Sequence, residues 1–537
     1  SKIGYSHQEQ VMTMQLHISG QILDVVQGRI YPGTIVIEGQ KIIASRETRE
    51  APPEFIIPGL VDSHVHIESS LLVPSQFARL AVLHGVTAAV ADPHEIANVL
   101  GVRGIRYMAE NGLAVPFKFH FGAPPCVPAT GFETSGSTIG PAELEELLRE
   151  GTARFLGEMM DFPGAINRDP VVMAKIEIAG RFGRPIDGHA PGLTGDELTR
   201  YIAAGITTDH ECLNRSEAVE KIAKGMTVML RNGSAARLSE DMISLIADHP
   251  EQLMFCSDDI HPDDLLRGYI NEICSKAIGL GYDPVSVLRC ATLNPVRHYG
   301  LDCGLLQVGD DADLVVLGSL KGFRVRKTYI KGRLVAEDGR SLIESVDTRL
   351  INNFIPSRKL PSDFSVPKRG NMINVIEVNE GTLFTGRSIL PAPVADGCVV
   401  ARPDEDILKI AVVNRYHPAP PAVAFVKNFG LLHGAIASSV AHDSHNIIAI
   451  GTNDKDLASA VNLIMESRGG LSAVWNDRRI HLHLPVGGDH DRSGCLSDGR
   501  QIRIAGQKRE RTWLHPDGAL HDPLLFGPPG HSPPQTE

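Results

Sequence analysis

From residue 58 to about residue 299 the chain alternates short apolar runs with amphipathic ones. V-T-A-A-V-A-D (86–92) is followed by I-R-Y-M-A-E-N (105–111), and F-K-F-H-F-G (117–122) by P-A-E-L-E-E-L-L-R-E-G (141–151). The first run of each pair has the texture of a strand, and the second places its apolar residues at helical spacing. Such alternation over roughly 240 residues has the size and rhythm of a (β/α)8 barrel. A chain of 537 residues exceeds one ordinary core, so further domains are expected around it.

Those domains announce themselves by texture. Short strand-like runs separated by Gly and Pro fill the first fifty residues and return at G-D-D-A-D-L-V-V-L (309–317) and V-R-K-T-Y-I-K-G-R-L-V-A (325–336). A linker rich in Pro, Ser and Lys (355–370) precedes another mixed region. The expected fold class is therefore α/β: a TIM-like barrel over 58–299, a split small β-sandwich domain from 1–57 and 300–350, and a C-terminal α+β domain over 351–488. The remainder, 489–537, is set apart as an atypical tail.

Composition narrows the function. Apolar residues at 42%, charged residues at 22% and a mean hydropathy near zero describe a soluble globular protein. A net charge of −12, with no Lys/Arg block, argues against a nucleic-acid partner. No apolar run approaches the ~18 residues of a membrane span, and the first residues, S-K-I-G-Y-S-H-Q, have no signal-peptide pattern. The eight cysteines are scattered, without a C-x-x-C pair, which fits reduced thiols in a cytoplasmic protein and turns attention to the 22 histidines as metal ligands.

Reading only the ends of the strand-like runs gives an ordered set. P-G-L-V-D-S-H-V-H-I-E-S-S (58–70) supplies His64 and His66, whose side chains share one face of a strand. A-D-P-H-E follows with Asp92, His94 and Glu95, then R-F-L-G-E-M-M with Glu158, P-I-D-G-H-A with His189, I-T-T-D-H-E with His210, and L-M-F-C-S-D-D with Asp258 and Asp259. Singly, each is a weak signal; His84 and His120 are read as packed histidines, and Asp259 as either a site residue or a helix N-cap. Together they fall where a barrel builds its active site. Four histidines and two carboxylates exceed the three protein ligands of one catalytic zinc and suit two metals sharing a carboxylate. Imidazole and carboxylate without thiolate suit Zn, Fe or Mn.

The order H-x-H, carboxylate, His, His, Asp, on a barrel flanked by a split β domain, resembles the amidohydrolase superfamily. Within it, P-G-L-V-D-S-H-V-H-I-E-S-S, D-P-H-E-I-A-N-V and A-S-S-V-A-H-D-S-H-N-I-I-A-I-G-T-N-D resemble the bacterial adenine deaminases, and the similarity runs from about residue 16 to about 487. Many superfamily members carry a carboxylated lysine at the fourth strand, where this chain has Glu158. The resemblance implies hydrolysis of adenine at C6 to hypoxanthine and ammonia in purine salvage. It implies two divalent ions, Mn or Fe ahead of Zn, with His64, His66 and Asp258 on one, His189 and His210 on the other, and Glu158 bridging. It makes Asp258 the proton carrier, and a homodimer is expected from the same source. At the mouth, a carboxyl such as Glu95, its pKa raised by desolvation, is read as donating a proton to a ring nitrogen, and Asp92 and His94 as orienting the purine. The competing readings are another amidohydrolase, acting on a cyclic amide or a different nucleobase, and a catalytically silent barrel. H-D-S-H-N (442–446) is read as a lid or an interface. After L-P-V-G-G (484–488) the resemblance ends; codons for 525–536 read one base later can spell F-L-A-L-P-V-I-P, the way such enzymes end, so a frameshifted tail is expected.

Overall fold

The computed structural model describes residues 15–379, 385–488 and 490. The frameshift expected after Gly488 therefore lies, apart from His490, outside the described residues.

Eight parallel strands form the barrel: Leu60–Val65, Val86–Ala91, Lys118–Ala123, Phe155–Met159, Ile186–Gly188, Thr208–Asp209, Thr227–Arg231 and Leu253–Cys256. They hydrogen-bond as a five-stranded and a three-stranded ladder. The ring closes where Val65 bridges Asp258 in parallel, with the Asp258 N–H donating to the His64 carbonyl at 2.9 Å and the His66 N–H to the Asp258 carbonyl at 3.2 Å. Burial explains the composition: all six residues of V-T-A-A-V-A are buried, as a strand enclosed by a helical ring requires. Polar groups inside the ring are paired across strands. Asp62 accepts from the Ser257 N–H at 3.1 Å, and Asp187 from Thr208 Oγ1 at 2.8 Å and the Tyr299 hydroxyl at 2.9 Å.

The helices follow from local chemistry. Pro141–Glu150 begins with proline, whose missing N–H costs nothing at a helix start, and Glu143 reaches back to the Gly140 N–H at 3.1 Å. Leu144, Leu147 and Leu148 give it one buried stripe, and Gly151, at φ +80°, ends it in a left-handed turn.

A second sheet, of eight strands, joins the chain on both sides of the barrel: Phe55–Pro58 pairs antiparallel with Leu314–Leu317. Beneath the barrel Lys118 Nζ lies 2.7 Å from both Asp311 and Asp313 in a nearly dry setting, tying the third barrel strand to this sheet. Lys118→Met is expected to leave buried Asp313 without its cation, while Asp311 keeps Lys41 at 2.8 Å, and to cost about 3–5 kcal/mol, read as a fall in the denaturation midpoint.

A third sheet, also of eight strands, is built from 372–483 and carries the helix Asp454–Ser467 on one face, which buries Leu457, Val461, Ile464 and Met465. Among the described residues no helix is long and apolar enough to cross a membrane, and the cysteines are free thiols.

Candidate metal centre and active site

The strand ends bring the widely separated histidines and carboxylates together at one mouth. His64 Nε2 and His66 Nε2 are 3.1 Å apart, and His66 Nε2 lies 3.2 Å from Glu158 Oε1 and 3.1 Å from Asp258 Oδ1. His189 Nδ1 meets Glu158 Oε2 at 2.7 Å, and His210 Nε2 approaches the same oxygen at 3.3 Å. Glu158 thus touches both halves of the set. His66 Nδ1 donates to the Asp92 carbonyl at 3.0 Å, which leaves its Nε2 lone pair facing the centre.

Asp92 lies below the cluster. Its Oδ2 accepts the Glu158 N–H at 2.8 Å, and a Cβ at position 157 would come within 2.2 Å of that oxygen, so Gly157 is what lets the carboxylate in. His94 stands between Glu158 and Glu95, with Nδ1 at 3.2 Å from Glu158 Oε1 and Nε2 at 3.1 Å from Glu95 Oε1. The turn is held by Glu68, which accepts the Ile96 N–H at 3.2 Å. Ser69 Oγ donates to Asp259 at 2.5 Å, while the helix after Asp259 has His261 as its N-cap. Asp259 is thus not that cap, and the I-E-S-S of the first motif braces the loops of the second and eighth strands. His84 is packed, its Nε2 donating to the Leu265 carbonyl at 2.7 Å, and His120 is buried on the third strand.

Electrostatics follow from this crowding. Burial, with His210 and His66 beside it, pushes His64 well below its usual range, giving the neutral imidazole that a ligand must be. Burial also works against charge on His66 and His210, yet the adjoining carboxylates raise both, His210 to about 9. Burial would raise Glu158 and Asp258, but His189 holds the first, and Arg231 the second, well below the carboxylate range. The pocket therefore calls for positive charge at its centre. Its donors fit divalent ions in spacing too. Bonds of roughly 2.1 Å set neighbouring ligands roughly 3.0–3.4 Å apart, which most of the contacts here match. Glu95 departs from the desolvation reading: burial would raise it, but His442, His94 and His445 hold it well below its ordinary range.

Arg231 and its partner Glu211 escaped the sequence reading. Arg231, at the end of the seventh strand, clasps Asp258 Oδ2 and, through its other nitrogen, Glu211 Oε2 at 2.9 Å. Its signal was its place at the end of T-V-M-L-R, the position that yielded the other site residues.

Comparison with known proteins supplies the family. Residues 55–335 match the model of the amidohydrolase family, and 382–499 that of the adenine deaminase C-terminal domain. Over 479 residues the chain is 49% identical to a protein named adenine deaminase from Salinibacter ruber, covering 89% of this chain and 88% of that one. The chain belongs to the adenine deaminase family. Relatives of the same name from Sulfurovum (49% over 493 residues, 92% of this chain and 90% of that one) and Methanosarcina barkeri (45% over 497 residues, 90% and 89%) agree. Membership in the amidohydrolase family implies divalent metal ions, and the clusters above are candidate sites for them. The adenine deaminase C-terminal match runs to residue 499, past Gly488, where the sequence reading placed the end of the resemblance.

Proposed function

We propose that this chain hydrolyses adenine at C6, releasing ammonia and hypoxanthine. The observation that carries the reading is the convergence of His64, His66, Glu158, His189, His210 and Asp258 at the mouth of a barrel whose chain continues into an adenine deaminase C-terminal domain. His64, His66 and Asp258 would hold one ion, His189 and His210 a second, and Glu158 would touch both; Mn or Fe is preferred to Zn. When bound, such ions lower the pKa of a shared water and stabilise charge on the reacting centre.

The side chains supply the rest. Asp258 Oδ1, facing the histidines, takes the proton of the attacking water and passes it to the amine leaving C6. Arg231 engages the other oxygen and so fixes which one faces the reaction. Asp92 positions Glu158 from below. The His94–Glu95 pair forms the polar wall that receives the purine edge and relays the water's other proton to the ring nitrogen beside C6. A cytoplasmic homodimer is part of the same proposal, and it rests on the family resemblance alone.

Ammonia release should be measured on adenine, adenosine, cytosine and a hydantoin with Mn(II) supplied. Adenine is expected to be turned over fastest; turnover of the hydantoin without adenine would reverse the assignment. Chelation followed by dialysis is expected to abolish activity, and Mn(II) to restore it. Full activity in a metal-free sample would defeat the metal-dependent mechanism.

A further inference from the structure

The segment 442–446 comes from the third sheet's domain, yet it reaches the barrel mouth. His445 Nε2 lies 2.5 Å from Glu95 Oε2, and His442 Nδ1 contacts Glu95 Oε1. Glu95 and His445 are fully buried, while His442 is 37% exposed at the rim. The segment is anchored on both sides. Ser444 Oγ donates to Glu133 at 2.7 Å and Asn446 Nδ2 to the Thr134 carbonyl at 2.7 Å, both on the barrel's third loop. Behind it, Tyr416 donates to the Ser444 carbonyl at 2.6 Å and buried Arg415 to the His445 carbonyl at 3.2 Å.

Glu95, His442 and His445 have the donor types of an ion site as well, and it is their shorter contacts that set them apart from the metal cluster. There most donors stand more than 3 Å apart around shared centres, whereas here each histidine meets its own carboxylate oxygen at hydrogen-bond distance. His445 Nδ1 also faces the Ser439 carbonyl at 3.3 Å, so the ring is held at both nitrogens. A carboxylate gripped at both oxygens has one orientation, and His94, bonded to that carboxylate and facing Glu158, inherits it.

We infer that His442 and His445 are positioning residues: from the C-terminal domain they clamp Glu95, and through it His94, in the orientation that adenine deamination needs. The inference rests on that reaction being the one catalysed, and it makes the site complete only when the C-terminal domain is docked.

The test uses the full-length, metal-loaded enzyme. An asparagine amide can stand in for Nδ1 and a glutamine amide for Nε2, so His442→Asn and His445→Gln keep the donor that Glu95 meets. His442→Gln and His445→Asn misplace it, and leucine removes it. His445→Leu is expected to lower kcat for adenine about 10–100-fold, with less change in KM and unchanged metal content. His445→Gln should recover most of that loss and His445→Asn should not, with the mirror-image order at position 442. In a Glu95→Gln background, His445→Leu should cost less than about threefold more, because the group it positions is already altered. Equal activity of the Asn and Gln variants at each position, or full multiplication of the losses with Glu95→Gln, would overturn the inference. If the leucine variants do not fold, the Asn/Gln comparison decides alone. Absence of adenine turnover by the wild-type enzyme would instead sink the proposed function, and this inference with it.

Discussion

Asp258→Asn is expected to lower kcat for adenine about 10³-fold or more, because one change removes a proton carrier and weakens a ligand. Acid–base groups alone contribute about 10²–10⁴-fold. Asparagine keeps the shape and tolerates the left-handed conformation at this position, where φ is +60°. The bonds that close the barrel here are made by the backbone, His64 to Asp258 to His66, so the fold should survive. The loss should therefore appear in steady-state ammonia release while the thermal midpoint hardly moves. The variant would also leave Arg231 facing a neutral amide, with Glu211 as its remaining carboxylate. Activity within tenfold of wild type would remove Asp258 from the chemistry.

Glu158→Gln is expected to reduce bound metal from two ions per chain to one or none, with a loss of activity at least as large. Its carboxylate is within 3.3 Å of His66, His94, His189 and His210, so it is the charge around which the others gather. An amide carries no charge, and its nitrogen is a donor that would face imidazole lone pairs or an ion. Metal analysis after dialysis, run beside the activity assay, checks this. Two retained ions and a tenth of the activity would show that Glu158 is not the shared group.

Much of the site was readable beforehand because a barrel strand is a short, periodic object: a polar residue just beyond an apolar run has few places to go but the mouth. His64, His66, Glu158, His189, His210 and Asp258 were picked out that way as candidates, and their side chains do converge; Arg231 could have been picked out too. Glu95 was harder. Its burial could be guessed from its place, which suggested a raised pKa, but the contacts of His442 and His445 with it were invisible, and together with the adjacent His94 they reverse the shift. Asp92 shows the same limit. D-P-H-E marks a turn, but only the missing side chain at Gly157 reveals that Asp92 reaches beneath Glu158.

The sequence by itself determined the architecture, since periodicity and strand-end chemistry are local properties written residue by residue. It also carried the family, through motifs long enough to be specific. Only the tertiary structure decided which groups meet. Closure of the barrel puts Asp258 against the first strand, and docking of the C-terminal domain sets His442 and His445 on Glu95. Both depend on packing between segments far apart in the chain, where charge and hydrogen bonding act over a few ångströms of space and no spacing in the sequence records them.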